Sequence, residues 1–543
     1  MKRILIFLLT GCPVTFLFGQ DSIKPTPQWR PAYHFTPLSN WTNDPNGLIF
    51  MDGKYHLYNQ QNPYGIEWGH MSWGHATSTD LVHWEHLPLA IPETIDKDTT
   101  WRFSGSAVWD KNNSSGLCKP GGCLVAIYTA DQPNLKKESQ FIAYSNDGGR
   151  TFTNYANNPV IDLQKKDFRD PNVTWSAQLN KWLMVVALPR EYKVRFYASS
   201  DLRNWDLLSE FGPGGYTGAP WECPFLVPLT VEGKKGEGSK KWVLVVSAGG
   251  AEKGTYMQYF VGGFDGRAFA NDNPSDTVLT VDYGDCFYAA IPWNGLPEKN
   301  KTYIGWLTPG PQATYPWTGQ MSIPRDLALR ETVQGLRLVQ APASLIRENL
   351  DGLSRHRVSE EKGVAIRDGA GQEARGGGFR GAEEAKGGAI RRVAKTAQRW
   401  KRMPGNAYWI EADLSVDPGA VAGFLLAAKK EGDSSIAGAS IGYDAARHQL
   451  VVDRTNAGGG KIKSGKEMQT IDLSSSARAG NTIHLEILVD RSSLEVFADG
   501  GLYALSTQIF PDEDADSIYL FANGGNAVLQ SIKVWDLSPF HQR

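Results

Sequence analysis

The sequence predicts an all-β protein: a five-bladed β-propeller followed by a C-terminal β-sandwich. Three observations predict it. From about residue 30 to 340, short alternating apolar runs are separated by Gly, Asn, Asp and Pro, with no sustained helical period. Within that stretch one motif returns. Beyond a change of composition at 350–402, the strand pattern resumes and runs to about residue 540.

The strand runs include Gly47-Leu48-Ile49-Phe50, Leu124-Val125-Ala126-Ile127-Tyr128 and Trp182-Leu183-Met184-Val185-Val186. Ser78-Thr79-Asp80-Leu81-Val82-His83-Trp84 returns as Ser199-Ser200-Asp201-Leu202-Arg203-Asn204-Trp205, with a looser copy from Ser145 to Phe152 between them. Each copy follows an apolar strand and ends on an aromatic, as equivalent turns of successive blades do. Antiparallel repeats of roughly 50–70 residues across this length correspond to about five blades. Residues 350–402 are rich in Gly, Arg and Ala, including Gly376-Gly377-Gly378, and read as a linker or insertion. In the region assigned to the sandwich, 403–540, Tyr408–Leu414 and His484–Val489 alternate as half-buried strands do.

Residues 1–20 read as an export signal, with Lys2 and Arg3 before the apolar run Ile4–Phe18. The alternative is processing at Leu9-Thr10-Gly11-Cys12, which would leave a lipid anchor on Cys12 and no inserted helix. The expected location is therefore secreted or periplasmic. Export also makes a small disulfide between Cys118 and Cys123 plausible, across a Lys-Pro-Gly-Gly turn, while Cys223 and Cys286 read as buried thiols. A net charge of -2, from 56 basic and 58 acidic residues, offers no field for nucleic acid or a membrane surface. His83 and His86 flank Glu85 without zinc-site spacing, so no metal or other cofactor is expected.

Three carboxylates stand in marked settings. Asp44 lies in Trp41-Thr42-Asn43-Asp44-Pro45-Asn46-Gly47, Asp170 in Phe168-Arg169-Asp170-Pro171, and Glu222 in Trp221-Glu222-Cys223-Pro224. Taken singly, the first reads as a turn, the second as an Arg–Asp pair closing a turn, and the third as a half-buried acid. Between Trp and Cys, Glu222 is in apolar company, which favours the protonated form a general acid needs. Each acid is followed by a stiffening Pro or Gly and a strand, and equivalent positions of this kind converge on a propeller axis.

These motifs resemble glycoside hydrolase family 32, the invertase, levanase and inulinase family. The resemblance extends to Asn59-Gln60-Gln61-Asn62-Pro63, Trp68, Phe103-Ser104-Gly105-Ser106, Phe287-Tyr288-Ala289-Ala290, Gly305-Trp306 and Val489–Phe497. It implies a five-bladed propeller with a β-sandwich and a retaining β-fructosidase acting on fructan (levan or inulin) or sucrose. Asp44 would be the nucleophile, Glu222 the acid/base, and Asp170, beside Arg169, the transition-state stabiliser. Asn43, Gln60, Trp68, Phe103 and Ser104 would shape the fructose pocket. Two positions depart from the family: Thr42 stands where Met is frequent, with an expected effect on the pocket rim. Cys286 stands where Asp is frequent, with the expected loss of a polar contact. Endo-acting fructanases carry the same carboxylates. A propeller enzyme for arabinose-type sugars would carry its acids in other motifs, and a non-catalytic fructan-binding protein would have no need of all three.

Overall fold

The alternation in residues 30–340 becomes five antiparallel sheets in the computed structural model. It describes residues 26–538 apart from 96–98, 237, 250–255, 298–300, 310–313, 355–356, 369–396, 433–434, 459–466 and 477–479. The export signal, Cys12 and the Gly/Arg-rich stretch at 376–388 lie outside the described residues.

Each sheet begins with an inner strand and proceeds outward in chain order. The inner strands are Asn40–Met51, Trp101–Asp110, Arg169–Ser176, Trp221–Thr230 and Phe287–Pro292. Each touches the inner strand of the next sheet, and the fifth returns to the first, so the sheets close into a ring. Trp317–Thr318 seals the ring by pairing in parallel with Asn40–Trp41. At one end of the axis Asn294 holds three sheets together: its Nδ2 donates to the carbonyls of Ala107 and Val173, both at 2.9 Å, and its backbone pairs with Leu48 and Phe50.

The repeated motif is a repeated turn. After the third strand of each of the first three sheets, Ser78, Ser145 and Ser199 donate to Asp80, Asp147 and Asp201 at 3.0, 2.7 and 3.2 Å. Each aspartate then accepts two backbone N–H groups further along the turn. This is how a short polar side chain replaces backbone pairing where a strand ends.

One irregularity is common to all five inner strands. Pairing with the second strand breaks after Thr42, Arg102, Arg169, Glu222 and Tyr288. It resumes at Pro45, Gly105, Asn172, Phe225 and Ile291, with one extra residue on the inner strand each time. These are β-bulges, and they turn side chains toward the axis. In the last three sheets Asp170, Cys223 and Ala289 occupy the same bulge position with φ of 66°, 46° and 52°, a left-handed conformation that costs roughly 1–3 kcal/mol in a non-glycine residue. In the second sheet, the bulge ends on Gly105, where a Cβ would lie 2.1 Å from the Ile127 carbonyl oxygen.

The C-terminal region forms two six-stranded sheets enclosing one apolar core that includes Tyr408, Ile410, Phe424, Ile441, Ile487 and Leu529. Here the structure departs from the sequence reading of 350–402 as a linker. Arg357–Ile366 pairs with the last strand of the chain, and Gln398–Arg402 pairs with Ser517–Asn523. Both are sandwich edge strands. Polar outward-facing residues such as Glu360, Glu361 and Lys362 hid the first of them, because an edge strand needs little apolar surface. Cys118 and Cys123 are joined as a disulfide, and Cys223 and Cys286 are buried free thiols.

Propeller and sandwich are joined through a continuous apolar cluster, in which Phe287 and Tyr303 meet Trp409, Phe497 and Trp535. A buried charge network crosses the same interface. Arg325, with no exposed surface, donates to Asp282 at 2.9 Å and to Glu495 of the sandwich at 2.8 Å, lying 4.1 Å over the Phe287 ring. His34 bonds Asp490 at 2.8 Å and Glu495 at 3.4 Å, while Asp490 also accepts the backbone N–H groups of Ala32, Tyr33 and His34. Arg454 pairs with Asp285, which also accepts from Thr507.

Substituting Arg325→Leu removes the guanidinium from buried Asp282 and leaves Glu495 with His34 as its cation, and about 3–5 kcal/mol of stability should be lost in chemical denaturation. Burial alone would lower the His34 imidazole, but its hydrogen bonds and the charges of Asp490 and Glu495 outweigh this and push it up to about 9 from 6.5. Stability from this group is complete below pH 6.5 and lost as pH rises through about 9. A stability profile from pH 6 to 10 should show that fall in the wild type and a flatter course in His34→Gln.

Candidate active site

The bulged ends of the inner strands surround a pocket whose floor includes Pro45, Ser104, Asp170, Pro171, Cys223, Pro224 and Ile291. An inner strand is an edge strand over most of its length, so a proline there breaks no ladder bond. The prolines following the carboxylates are therefore compatible with strand, and the Asn-Asp-Pro-Asn-Gly run is a bulged strand rather than a free turn.

Asp44 is the second of the two residues in the first bulge, after Asn43. Ser104, at the matching place in the second sheet, donates its hydroxyl to Asp44 Oδ2 at 2.5 Å, and Asn43 Nδ2 donates to Oδ1 at 3.1 Å. Burial raises the Asp44 carboxyl above its ordinary range, the Ser104, Asn43 and Cys223 hydrogen bonds oppose that, and the Glu222 charge adds to it.

Asp170 is the first bulge residue of the third sheet. Its backbone N–H donates to Thr129 Oγ1 at 2.9 Å, and its Oδ2 accepts the Cys223 N–H at 2.9 Å. Burial raises it, Arg169 pulls it down, and Glu222 and Asp44 push it up again. The Cys223 thiol lies 3.6 Å from both Asp44 Oδ2 and Asp170 Oδ2, so these two acids face one sulfur.

Glu222 occupies the last paired position before the fourth bulge. Arg169 donates to its Oε1 through Nε at 3.0 Å and Nη2 at 2.8 Å, and the Tyr288 hydroxyl donates to Oε2 at 2.5 Å. The apolar company suggested by Trp221 and Cys223 is not what surrounds this carboxylate. Trp221 packs into a separate core, because alternate strand residues point to opposite faces. The neighbours of the Glu222 carboxylate are an arginine and a phenol.

The remaining sequence candidates fall into two groups. Trp68 is 53 % exposed and meets Trp101 and Phe103 edge-on at 5.3 and 6.0 Å, forming an aromatic rim. Trp41 adds to the aromatic surface, donating to Asn43 at 2.8 Å and contacting Trp306. Gln60, by contrast, is fully buried and donates Nε2 to the Arg102 carbonyl at 2.7 Å, supporting the second inner strand. Thr42 is also buried: it donates to the Gln60 carbonyl and accepts from Asn59, so it lies behind the strand and not at the rim.

Sequence reasoning missed Tyr288 and Cys223 as site groups. Tyr288 was legible in principle, since it precedes the fifth bulge as Glu222 precedes the fourth. It also missed Glu138, a buried acid in the middle of the second sheet that holds Arg169 from behind, at 3.1 and 3.2 Å from Nη1. No local motif marks it.

Residues 34–342 match the N-terminal domain of glycosyl hydrolases family 32, and residues 379–536 match the family's C-terminal domain. A levanase of Bacillus subtilis is 38% identical over 99% of this chain and 76% of its own length. An extracellular exo-inulinase of Aspergillus awamori is 35% identical over 96% of both chains. The crystal structure of exo-inulinase from Aspergillus awamori superimposes with a TM-score of 0.81 at 34% identity, covering 94% of this chain and 98% of that one. A fructofuranosidase of Schwanniomyces occidentalis complexed with fructosylnystose gives 0.79 at 29% identity, covering 95% and 99%. With both domains matched in order and the axial carboxylates in the family's motifs, the chain is a member of glycoside hydrolase family 32.

Proposed function

We propose that this chain is an exported, exo-acting, retaining β-fructosidase that hydrolyses terminal fructosyl linkages of levan or inulin, and of sucrose. The observation that carries this reading is the clustering of three acids at the axis: Asp170 lines the pocket, Asp44 shares the Cys223 thiol with it, and Glu222 is held by Arg169, the residue before Asp170, in a chain whose relatives include a levanase and exo-inulinases. Exo action is favoured by the exo-inulinases among the relatives. Export is favoured by the extracellular relatives.

In the first step Asp44 attacks C2 of the fructosyl unit while Glu222 protonates the departing glycosidic oxygen, leaving a covalent fructosyl ester on Asp44. In the second, water attacks C2, Glu222 takes its proton, and the C2–Asp44 bond breaks. Glu222 Oε1 already accepts two N–H groups from Arg169, so Oε2 is the oxygen that carries the proton. Asp170 accepts from fructosyl hydroxyls and balances positive charge developing at C2. Trp68, Trp41 and Phe103 offer apolar faces to sugar C–H groups, and Asn43 and Ser104 orient Asp44.

Asp44→Asn should abolish fructose release, with a loss of about 10⁴-fold or more in kcat on the scale of a removed nucleophile. Glu222→Gln should cost about 10²–10⁴-fold, since neither the leaving oxygen nor the attacking water is then served by an acid/base group. Full activity in either variant, measured as fructose released from sucrose and levan, would overturn these roles. Free fructose as the sole early product supports exo action; a ladder of oligomers would assign endo action.

Ser104→Ala removes a hydrogen bond that favours ionised Asp44. The acid limb of the kcat/KM profile should therefore move to higher pH by about one unit, taking a charged hydrogen bond at about 1.5 kcal/mol and a pH unit at 1.36. A limb that stays in place would show that Ser104 does not tune Asp44.

A further inference from the structure

We propose that Glu138 is a positioning residue for the reaction, acting through Arg169: it grips one edge of the guanidinium and so keeps the other edge on Glu222. The proposal rests on the reading of Glu222 as the proton donor.

The geometry is that of one arginine shared between two acids. Arg169 directs Nε and Nη2 to Glu222 Oε1, and Nη1 to both oxygens of Glu138 and to Asp167 at 3.2 Å. Glu138 is 5 % exposed, and its Oε2 also accepts the Phe168 N–H at 2.7 Å, so the backbone beside Arg169 is tied to the same carboxylate. It lies on Lys137–Ser145 of the second sheet, whereas Arg169 opens the third and Glu222 the fourth. The chain Glu138–Arg169–Glu222 therefore sets the register of three neighbouring blades at the site.

A planar guanidinium that gives one edge to each of two carboxylates holds them in a fixed relation, which a single carboxylate partner would not do. The charged groups facing Glu138 are Asp131, directly opposite on the adjoining strand, Lys165 opposite on the other side, and Asp167 and Arg169 on the segment entering the third sheet. Arg190 pairs with Asp167 behind them, and Lys166 acts on Asp131. Burial pushes the Glu138 carboxyl up to about 7 against the pull of Arg169, so its charge depends on that partner.

Glu138→Gln keeps an acceptor for the Phe168 N–H and replaces one of the two oxygens that face Arg169 Nη1. The variant should lose about five- to thirtyfold in kcat on sucrose with KM changed less than about twofold. Because Glu138 acts through Arg169, its loss should not add to that of Arg169→Lys in the double variant. Glu138→Asp, which keeps a carboxylate one methylene shorter, should retain more activity than Glu138→Gln, and it decides the matter if Glu138→Gln does not fold. An unchanged kcat in the folded variant, or losses that add fully to those of Arg169→Lys, overturns the proposal. A wild-type protein that releases no fructose strikes instead at the assignment of Glu222 itself.

Discussion

A propeller's inner strand pairs along its length on one side only, and a strand free on one side can take an extra residue without unravelling the sheet. This chain uses that freedom five times, at the same place in each inner strand, and the pocket is what the five bulges leave at the axis. A regular strand would send alternate residues into the cores between blades and present the rest edge-on. The bulge changes that phase locally. It lets Asp44, Asp170 and Glu222 occupy three different positions of one repeated device and still face one pocket.

The electrostatics follow from crowding acids into a buried place. Burial raises both Asp44 and Asp170, and each is answered by one group of its own strand and one from a neighbouring blade: Asn43 and Ser104 for Asp44, and Arg169 and the Cys223 N–H for Asp170. Glu222 is held by Arg169 from the third sheet and Tyr288 from the fifth. Because no blade supplies a complete acid with its partners, the site exists only when the ring is closed. The sandwich supports that closure through Asp490 and Glu495, which hold His34 and Arg325 of the propeller, and through Arg454, which pairs with Asp285.

Some of this was legible in the chain. Alternating runs, the Ser-x-Asp turns and the three acidic motifs are local signals, set by neighbours within a few residues, and they predicted the all-β class and the residues that line the axis. The reading failed where distance in sequence decides the outcome. Residues 357–366 and 398–402 looked like linker because edge strands carry few apolar residues. Thr42 and Gln60 looked like pocket residues, and both are buried and spend their hydrogen bonds on neighbouring strands, with Thr42 on the Gln60 carbonyl and Gln60 on the Arg102 carbonyl.

What the sequence determined by itself is the set of chemical groups: three acids, the arginine and hydroxyl beside them, and strands short enough to stack as blades. Tertiary structure alone decided which groups touch. Glu138 and Arg169 are 31 residues apart, Arg169 and Glu222 are 53, and Asp44 and Cys223 are 179. Contacts at those separations depend on ring closure and strand phase. Both are collective properties of five sheets, and no local run of residues encodes them.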